Sequence, residues 1–159
     1  MSYQAVILTV SDSCAAGTRT DTSGPAIRAM LENAGFAVQA MQTVPDEEGQ
    51  ISAAIVHACD ILQADLVVTT GGTGLSPCDV TPEATLAVLD REIRAIPVAM
   101  WVEGLKSTPR AMLSRAVAGI RGHTLVLNVP GSEKAARENL GAVAATLDHA
   151  LRMLAGGGH

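Results

Sequence analysis

The chain has 159 residues, of which 48% are apolar and only 2% aromatic, so a disordered chain is excluded and one globular domain with an aliphatic core is predicted. A formal net charge of −5 at pH 7, without a basic cluster or an aromatic surface for base stacking, argues against general nucleic-acid binding. No apolar run reaches the roughly 20 residues needed to span a bilayer, and residues 1–5 lack a signal-peptide pattern, so we expect a cytoplasmic protein. The cysteines lack Cys-x-x-Cys spacing, which predicts reduced thiols and no zinc site.

The first part of the chain alternates strand and helix patterns. Residues 5–10 form an apolar, β-branched run that is typical of a central strand covered on both faces. A helical pattern follows, in which Pro25 suits the first turn and Gly35 suits the helix end. Residues 36–43 alternate in polarity and therefore predict an outer strand.

The same alternation continues through the middle of the chain. An apolar stripe over 51–62 predicts a second helix, and the continuous apolar run 66–70 predicts a second central strand. The sequence Thr81-Pro82-Glu83 predicts the start of another helix, with Thr81 as the N-cap and an acidic side chain near the positive helix end. The apolar stripe of the next helix consists of Val98, Trp101, Val102 and Leu105.

The last part of the chain predicts a hairpin and a long helix. Residues 112–119 and 123–129 are separated by a short link with Gly and Arg, so the first segment should add an antiparallel strand beside the apolar run 125–129. An apolar stripe from 140 to 154 predicts the final helix, and 155–159 a flexible tail. The whole pattern predicts a single α/β domain over residues 1–159, with three layers (α/β/α) and a mostly parallel sheet.

The strongest local signal is the sequence TTGGTG at 69–74, which directly follows a predicted central strand. Its glycines, Gly71, Gly72 and Gly74, would let the backbone, including that of Thr73, approach a ligand closely and direct N–H groups at an anion. Ligands of open α/β sheets also collect at the carboxyl ends of strands. A tight strand-to-helix turn is the competing interpretation. Neither a dinucleotide fingerprint nor a P-loop is present, because Gly-x-Gly-x-x-Gly and Gly-Lys-Ser/Thr are absent.

Two carboxylates follow predicted strands and are candidate metal ligands and catalytic residues. Asp79 comes soon after the glycine loop, and Asp46 follows the strand 36–43. A carboxylate beside a phosphate-binding loop is electrostatically favourable if a Mg²⁺ ion bridges it to phosphate oxygens. The competing interpretations are a turn residue for Asp79 and a helix N-cap for Asp46.

Three further loops carry small or polar candidate ligands. The loop after the first strand has hydroxyls and a carboxylate that could bind a nucleotide by hydrogen bonds. The segment 106–115 supplies several cations, and guanidinium groups bind phosphate in bidentate fashion. The loop at 128–132 ends a strand and opens the last helix, which is a natural anion site. Each could instead be an ordinary turn or a solvated surface. The candidate residues of these loops are Ser11, Asp12, Ser13, Ser114, Arg115, Asn128, Pro130 and Gly131.

The motifs TTGGTG, DVTPEAT, AMLSRAVAGIRG and LNVPGS occur in this order, together with SDS, DTSGP and VPDE. This combination closely resembles the molybdopterin adenylyltransferase family, which includes the adenylylating domain of gephyrin-type proteins, and the resemblance covers about residues 5–154. It implies a three-layer domain that assembles as a homotrimer and acts in molybdenum cofactor biosynthesis. It also implies Mg²⁺-dependent transfer of AMP from ATP to the terminal phosphate of molybdopterin, with release of pyrophosphate, and the molybdate-inserting enzyme as a candidate partner.

The resemblance assigns essential metal- and nucleotide-binding roles to Asp46 and Asp79, and implies that Ser114 and Arg115 hold the pterin or its phosphate. The family often has Arg directly before the aspartate of the DVTPE motif, and this chain has Cys78 there, so one phosphate contact is missing. Two alternatives remain open. One is a non-catalytic molybdopterin-binding paralogue, and the other is a nucleotide pyrophosphatase of the competence-damage-inducible type on the same fold.

Overall fold

The computed structural model describes residues 2–157, which contain one six-stranded mixed sheet. Its strands are β1 (Gln4–Val10), β2 (Ala37–Val44), β3 (Leu66–Thr70), β4 (Arg91–Glu92), β5 (Ala118–Arg121) and β6 (Thr124–Val129). The spatial order is β2-β1-β3-β6-β5-β4. The first four strands in this order run parallel, β5 is antiparallel to β6, and β4 is antiparallel to β5. The predicted mostly parallel sheet with an antiparallel hairpin strand is therefore confirmed.

Helices cover both faces of the sheet. They are α1 (Asp12–Ala15), α2 (Ser23–Asn33), α3 (Glu48–Val56), α4 (Thr81–Leu86), α5 (Ala95–Leu105) and α6 (Glu133–Leu154). A π-helical segment, His57–Ile61, continues α3, and Pro109–Leu113 form a 3₁₀ helix. Within residues 2–157, no helix is both long and apolar enough to cross a membrane.

Two apolar cores lie on opposite faces of the sheet, because successive strand residues point to opposite sides. Ile7 and Val68 belong to the core that α2 and α6 cover, whereas Leu8 and Val67 belong to the core that α3 covers. This double burial explains why the central strands are apolar at nearly every position. The predicted three-layer arrangement is confirmed.

The structure corrects three local predictions about element boundaries. The antiparallel strand predicted from residue 112 begins only at Ala118, because Pro109 starts a 3₁₀ helix. Thr108 caps this helix, since its hydroxyl accepts a hydrogen bond from the N–H of Arg110 at 3.3 Å. Thr81 is not an N-cap but the first residue of α4. Asp46 does not cap α3 either, since Glu47 occupies that position.

The structure describes the segment after α6 only as far as Gly157. Residues 155–157, predicted as tail, close the end of α6 through backbone hydrogen bonds from Gly156 to Met153 and from Gly157 to Arg152. The rest of the predicted tail, 158–159, lies outside the described residues.

Three of the four residues in the apolar stripe predicted on α5 face outward, and the fourth, Trp101, lines the cleft described below. Val98, Val102 and Leu105 are 49%, 56% and 45% exposed. The helix instead buries Pro97, Met100 and Gly104, a set with one large side chain. An apolar stripe predicts that one face of a helix is apolar, but it does not identify the element that packs on that face. In α5 the exposed residues of the stripe form an apolar strip on the protein surface.

Candidate functional site

A cleft of about 720 Å³ opens at the carboxyl ends of the parallel strands. Parallel strands end at the same edge of a sheet, so the loops after β1, β2, β3 and β6 converge there. The start of α2, part of α5, the 3₁₀ helix and the first turns of α6 complete the walls. The predicted site residues that line the cleft are Ser11, Asp46, Gly71, Gly72, Thr73, Gly74, Asp79, Ser114, Pro130 and Gly131.

The glycine loop after β3 is held in a conformation that requires glycine. Gly71 and Gly72 have φ angles of +103° and +69°, which lie in the left-handed region. A Cβ atom on Gly71 would collide with the carbonyl oxygen of Val10, and one on Gly72 would collide with Oγ1 of Thr81. The tight-turn interpretation therefore holds for the packing of this loop.

The same loop also presents free donors. The N–H of Gly71 donates to the carbonyl of Val129 at 3.1 Å. The next three N–H groups, those of Gly72, Thr73 and Gly74, have no hydrogen-bond acceptor within residues 2–157. Successive unpaired backbone N–H groups form an anion-binding concavity. The loop is thus both a tight turn and a suitable cradle for phosphate oxygens.

Two aspartates from neighbouring loops bind each other's backbone beside the glycine loop. The N–H of Asp12 donates to Oδ2 of Asp46 at 3.0 Å, and the N–H of Asp46 donates to Oδ1 of Asp12 at 2.8 Å. Burial is the main cause that raises the pKa of Asp46, and the negative charges of Asp12 and Asp79 raise it further. Several carboxylates thus repel one another at one edge of the cleft, which favours a bound cation there.

The donor set fits a Mg²⁺ ion that is shared with a substrate. The described residues contain no group of three or more His, Cys, Asp or Glu side chains arranged to hold a metal ion. Mg²⁺ in phosphoryl-transfer sites is commonly held by one or two carboxylates, phosphate oxygens and water. Oδ1 of Asp46 accepts no hydrogen bond within residues 2–157, and Asp79 uses Oδ2 to accept the N–H of Ser76 at 3.0 Å. Asp46 and Asp79 can therefore supply two ligands, and a phosphate would complete the coordination.

Arg115 lies behind the cleft wall, where its guanidinium binds other parts of the chain. Nε donates to the carbonyl of Gly74 at 2.8 Å and Nη2 to the carbonyl of Asp79 at 2.7 Å. Nη1 donates to both carboxylate oxygens of Glu83, at 2.9 and 2.8 Å, and this contact raises the pKa of Arg115. These contacts favour a positioning role for Arg115, which joins the glycine loop to the DVTPE segment.

Asn128 is also a positioning residue by its contacts, since its side chain is fully buried. Nδ2 donates to Oγ1 of Thr69 at 2.8 Å and to Oγ1 of Thr85 at 3.1 Å, and Oδ1 accepts the N–H of Val117 at 3.2 Å. The side chain of Asn128 points into the interface between sheet and helices, because successive residues of β6 face opposite sides of the sheet.

Asp12 and Ser13, like Asn128, are not among the residues that line the cleft. The hydroxyl of Ser13 lies 3.2 Å from that of Ser11.

Two arginines line the cleft, and within residues 2–157 neither side chain forms an ion pair. Arg19 follows α1, and Arg110 lies in the 3₁₀ helix. The nearby Lys106 pairs with Glu103 at 2.8 Å. The motifs give no indication of Arg19. Arg110, in contrast, belongs to the segment 106–115, for which the sequence predicts several cations that could bind phosphate.

A further polar network, which includes Asp21 and Gly24 of the DTSGP motif, supports the cleft floor. Asp21 accepts a hydrogen bond from Oγ1 of Thr9 at 2.7 Å and another from the N–H of Gly24 at 3.0 Å. Thr70 donates to the carbonyl of Pro130 at 2.7 Å. These bonds tie the ends of β1, β3 and β6 to the start of α2.

Comparison with known proteins agrees with this geometry. Residues 6–149 match the family model described as "Probable molybdopterin binding domain". The chain is 40% identical over 149 residues to the molybdenum cofactor synthesis protein cinnamon of Drosophila melanogaster, covering 93% of this chain and 25% of that protein. It is 37% identical over 154 residues to the molybdopterin adenylyltransferase of Helicobacter pylori strain J99, covering 94% and 86%. The crystal structure of the molybdopterin biosynthesis enzyme MoaB from Thermus thermophilus superimposes with a TM-score of 0.92 at 49% identity and covers 97% of each chain.

The chain spans about a quarter of the length of the eukaryotic relatives and about half that of a bifunctional bacterial relative. The family match nevertheless includes every strand end and loop that forms the cleft. On sequence, fold and cleft together, this chain belongs to the family of probable molybdopterin-binding domains of molybdenum cofactor biosynthesis.

Proposed function

We propose that this protein is a molybdopterin adenylyltransferase, which transfers AMP from ATP to the terminal phosphate of molybdopterin and releases pyrophosphate. The observation that carries the proposal is one cleft in which three free backbone N–H groups of the glycine loop lie beside Asp46 and Asp79. The relative named molybdopterin adenylyltransferase, 86% of which this chain covers, supports the same reaction.

The geometry suits the electrostatics of phosphoryl transfer. Attack of one phosphate on another is opposed by charge repulsion, so catalysis depends on positioning and charge neutralisation. The N–H groups of Gly72, Thr73 and Gly74 would hold the ATP phosphates. Asp46 and Asp79 would hold Mg²⁺, which when bound neutralises charge on the phosphates and the leaving group. No side chain need form a covalent bond to either substrate.

Arg110 is proposed as the cation for the terminal phosphate of molybdopterin. Arg115, which the motif suggests for this role, is held by Glu83 and two carbonyls. Arg110 lies on the 3₁₀ helix that Ser114 ends, and both residues line the cleft. A phosphate between them would receive a guanidinium and a hydroxyl donor.

The exposed apolar strip supports assembly into an oligomer, for which we propose a homotrimer on the basis of the family resemblance. Val98, Val102 and Leu105 on α5 are exposed, and so is Met112 (65%) on the 3₁₀ helix that packs against α5. Contiguous apolar surface of this kind marks contact sites in soluble proteins. Light scattering at micromolar concentration should give three times the chain mass, and a monomer would contradict the trimer.

We further propose a cytoplasmic protein that delivers its product to the molybdate-inserting enzyme.

The reaction is tested by incubating the protein with molybdopterin, ATP and Mg²⁺ and measuring adenylylated pterin and pyrophosphate. Asp79→Asn should nearly abolish product while leaving the fold intact, because Asn keeps an acceptor for the N–H of Ser76 but lacks the charge. The matched control is Asp148→Asn, which removes a carboxylate paired with Arg152 on the outer face of α6. Binding without turnover would indicate the non-catalytic paralogue. Pyrophosphate released without the pterin would indicate the nucleotide pyrophosphatase.

A further inference from the structure

The hydroxyl of Thr81 is one of only two buried polar side-chain atoms in residues 2–157 that lack a hydrogen-bond partner; the other is Nε1 of Trp101. Thr81 is fully buried, whereas Trp101 is partly exposed. The backbone of Thr81 is satisfied, since its N–H donates to the carbonyl of Gly72 at 3.1 Å and its carbonyl accepts from Oγ1 of Thr85 at 2.7 Å. A buried unpaired hydroxyl costs free energy, so its presence calls for an explanation.

The neighbours of this hydroxyl place it at the candidate metal site. A Cβ atom on Gly72 would meet both Oγ1 of Thr81 and Oδ1 of Asp46, the latter at 3.3 Å. The two oxygens therefore border the same small space, which is left by the missing side chain of Gly72. Oδ2 of Asp46 is occupied by the N–H of Asp12, but Oδ1 accepts no hydrogen bond from the described residues. The unpaired hydroxyl of Thr81, a donor, and the unpaired Oδ1 of Asp46, an acceptor, therefore lie next to the same space.

We propose that Thr81 is a positioning residue whose hydroxyl donates directly to Oδ1 of Asp46 in the substrate-loaded enzyme. A carboxylate anchored on both oxygens keeps a fixed orientation, and the second lone pair of Oδ1 remains available to ligate the cation. Gly72 then has two roles, because its N–H has no acceptor within residues 2–157 and its missing side chain lets Oγ1 of Thr81 and Oδ1 of Asp46 lie close together. The proposal rests on the proposed function of Asp46.

Two substitutions separate the hydroxyl from the shape of the side chain. Thr81→Val keeps the volume and removes the hydroxyl, so it should raise the melting temperature of the ligand-free protein, since an unsatisfied buried group is lost. It should also weaken binding of ATP in the presence of Mg²⁺ and lower kcat, each by about ten- to a hundredfold, which corresponds to one lost hydrogen bond to a charged group. Thr81→Ser keeps the hydroxyl and should keep binding and turnover close to wild type.

The matched control is Thr124→Val, at the opposite end of β6. Thr124 is also fully buried, but its hydroxyl donates to the carbonyl of Ala64 at 2.6 Å. Removing this satisfied bond should lower the melting temperature and leave ATP binding unchanged at a temperature where the variant is folded.

Calorimetry with ATP and Mg²⁺, together with thermal unfolding, decides the matter without relying on turnover. Wild-type ATP affinity in Thr81→Val would overturn the positioning role, whatever its melting temperature. Equal losses in Thr81→Ser and Thr81→Val would overturn it too, because they would point to packing of the methyl group. If the wild type binds ATP but makes no adenylylated pterin, the transfer reaction is refuted, while weaker binding by Thr81→Val would still support the positioning role.

Discussion

Replacing Arg115 by alanine should destabilise the fold and weaken the binding of both substrates. The guanidinium joins three segments behind the cleft through the carbonyls of Gly74 and Asp79 and the carboxylate of Glu83. Gly74 belongs to the loop proposed for ATP, and the segment from Asp79 to Glu83 carries a proposed metal ligand. Without the cross-link, the loop and the carboxylate would lose their fixed relative position.

The structure gives a magnitude for this loss. Side chains of the Arg115–Glu83 pair are 39% and 43% exposed, so solvent screening limits the ion pair to about 0.2–1 kcal/mol. Each bond from the charged guanidinium to a carbonyl contributes about 1.5–3 kcal/mol. Because both carbonyls lie near solvent and can be rehydrated, the lower value applies, and the total is about 3–4 kcal/mol. For a chain of this size that corresponds to a fall in melting temperature of roughly 6–15 °C.

Thermal unfolding measures the stability of Arg115→Ala, and calorimetry measures its affinity for ATP and for molybdopterin. Glu83→Gln is the control, since it removes only the exposed ion pair and should cost less than about 1 kcal/mol. We expect both ligands to bind more weakly to Arg115→Ala. An unchanged melting temperature with a loss of molybdopterin binding alone would contradict the positioning role of Arg115, because it would mean that the guanidinium leaves Glu83 to bind the pterin phosphate.

Three other substitutions test separate parts of the site. Gly71→Ala should lower the free energy of unfolding in urea by more than about 1–2 kcal/mol, because left-handed backbone strain adds to a collision; an unchanged midpoint would contradict the loop geometry. Arg110→Ala should weaken molybdopterin binding about ten- to a hundredfold in calorimetry, and an equal effect of Arg19→Ala would indicate a general charge effect instead of a contact. Asp46→Asn should abolish transfer but raise the melting temperature near neutral pH, because the raised pKa of Asp46 means that its ionised form is disfavoured in the folded protein. That advantage should shrink as the pH falls through the pKa of Asp46, and a growing advantage would contradict the sign of the shift.

Much of the fold follows from the sequence because the signals are strong and local. The run 66–70 is rich in β-branched residues, and the structure places β3 at Leu66–Thr70. The final helix follows from a long regular stripe and extends over Glu133–Leu154. Parallel strands that end at one edge also explain why widely separated loops meet at the cleft.

The remaining features depend on contacts between residues that are distant in the sequence. Arg115 is typical of a phosphate ligand by motif, but its partner Glu83 is 32 residues away. Asn128 looks like a loop ligand, yet strand alternation turns it into the interior. The stripe on α5 is visible in the sequence, whereas the face that it presents to solvent is set by packing against α6 and the 3₁₀ helix. No local pattern reveals which buried hydroxyl lacks a partner.

We propose that one cleft holds both substrates around Asp46 and Asp79. A crystal structure of the protein with molybdopterin, a non-reactive ATP analogue and Mg²⁺ tests it most directly. We predict nucleotide phosphates within hydrogen-bond distance of the N–H groups of Gly72, Thr73 and Gly74, the metal between the two aspartates, and the pterin phosphate near the 3₁₀ helix. A nucleotide bound away from the glycine loop, or a metal that touches neither aspartate, would contradict the claim.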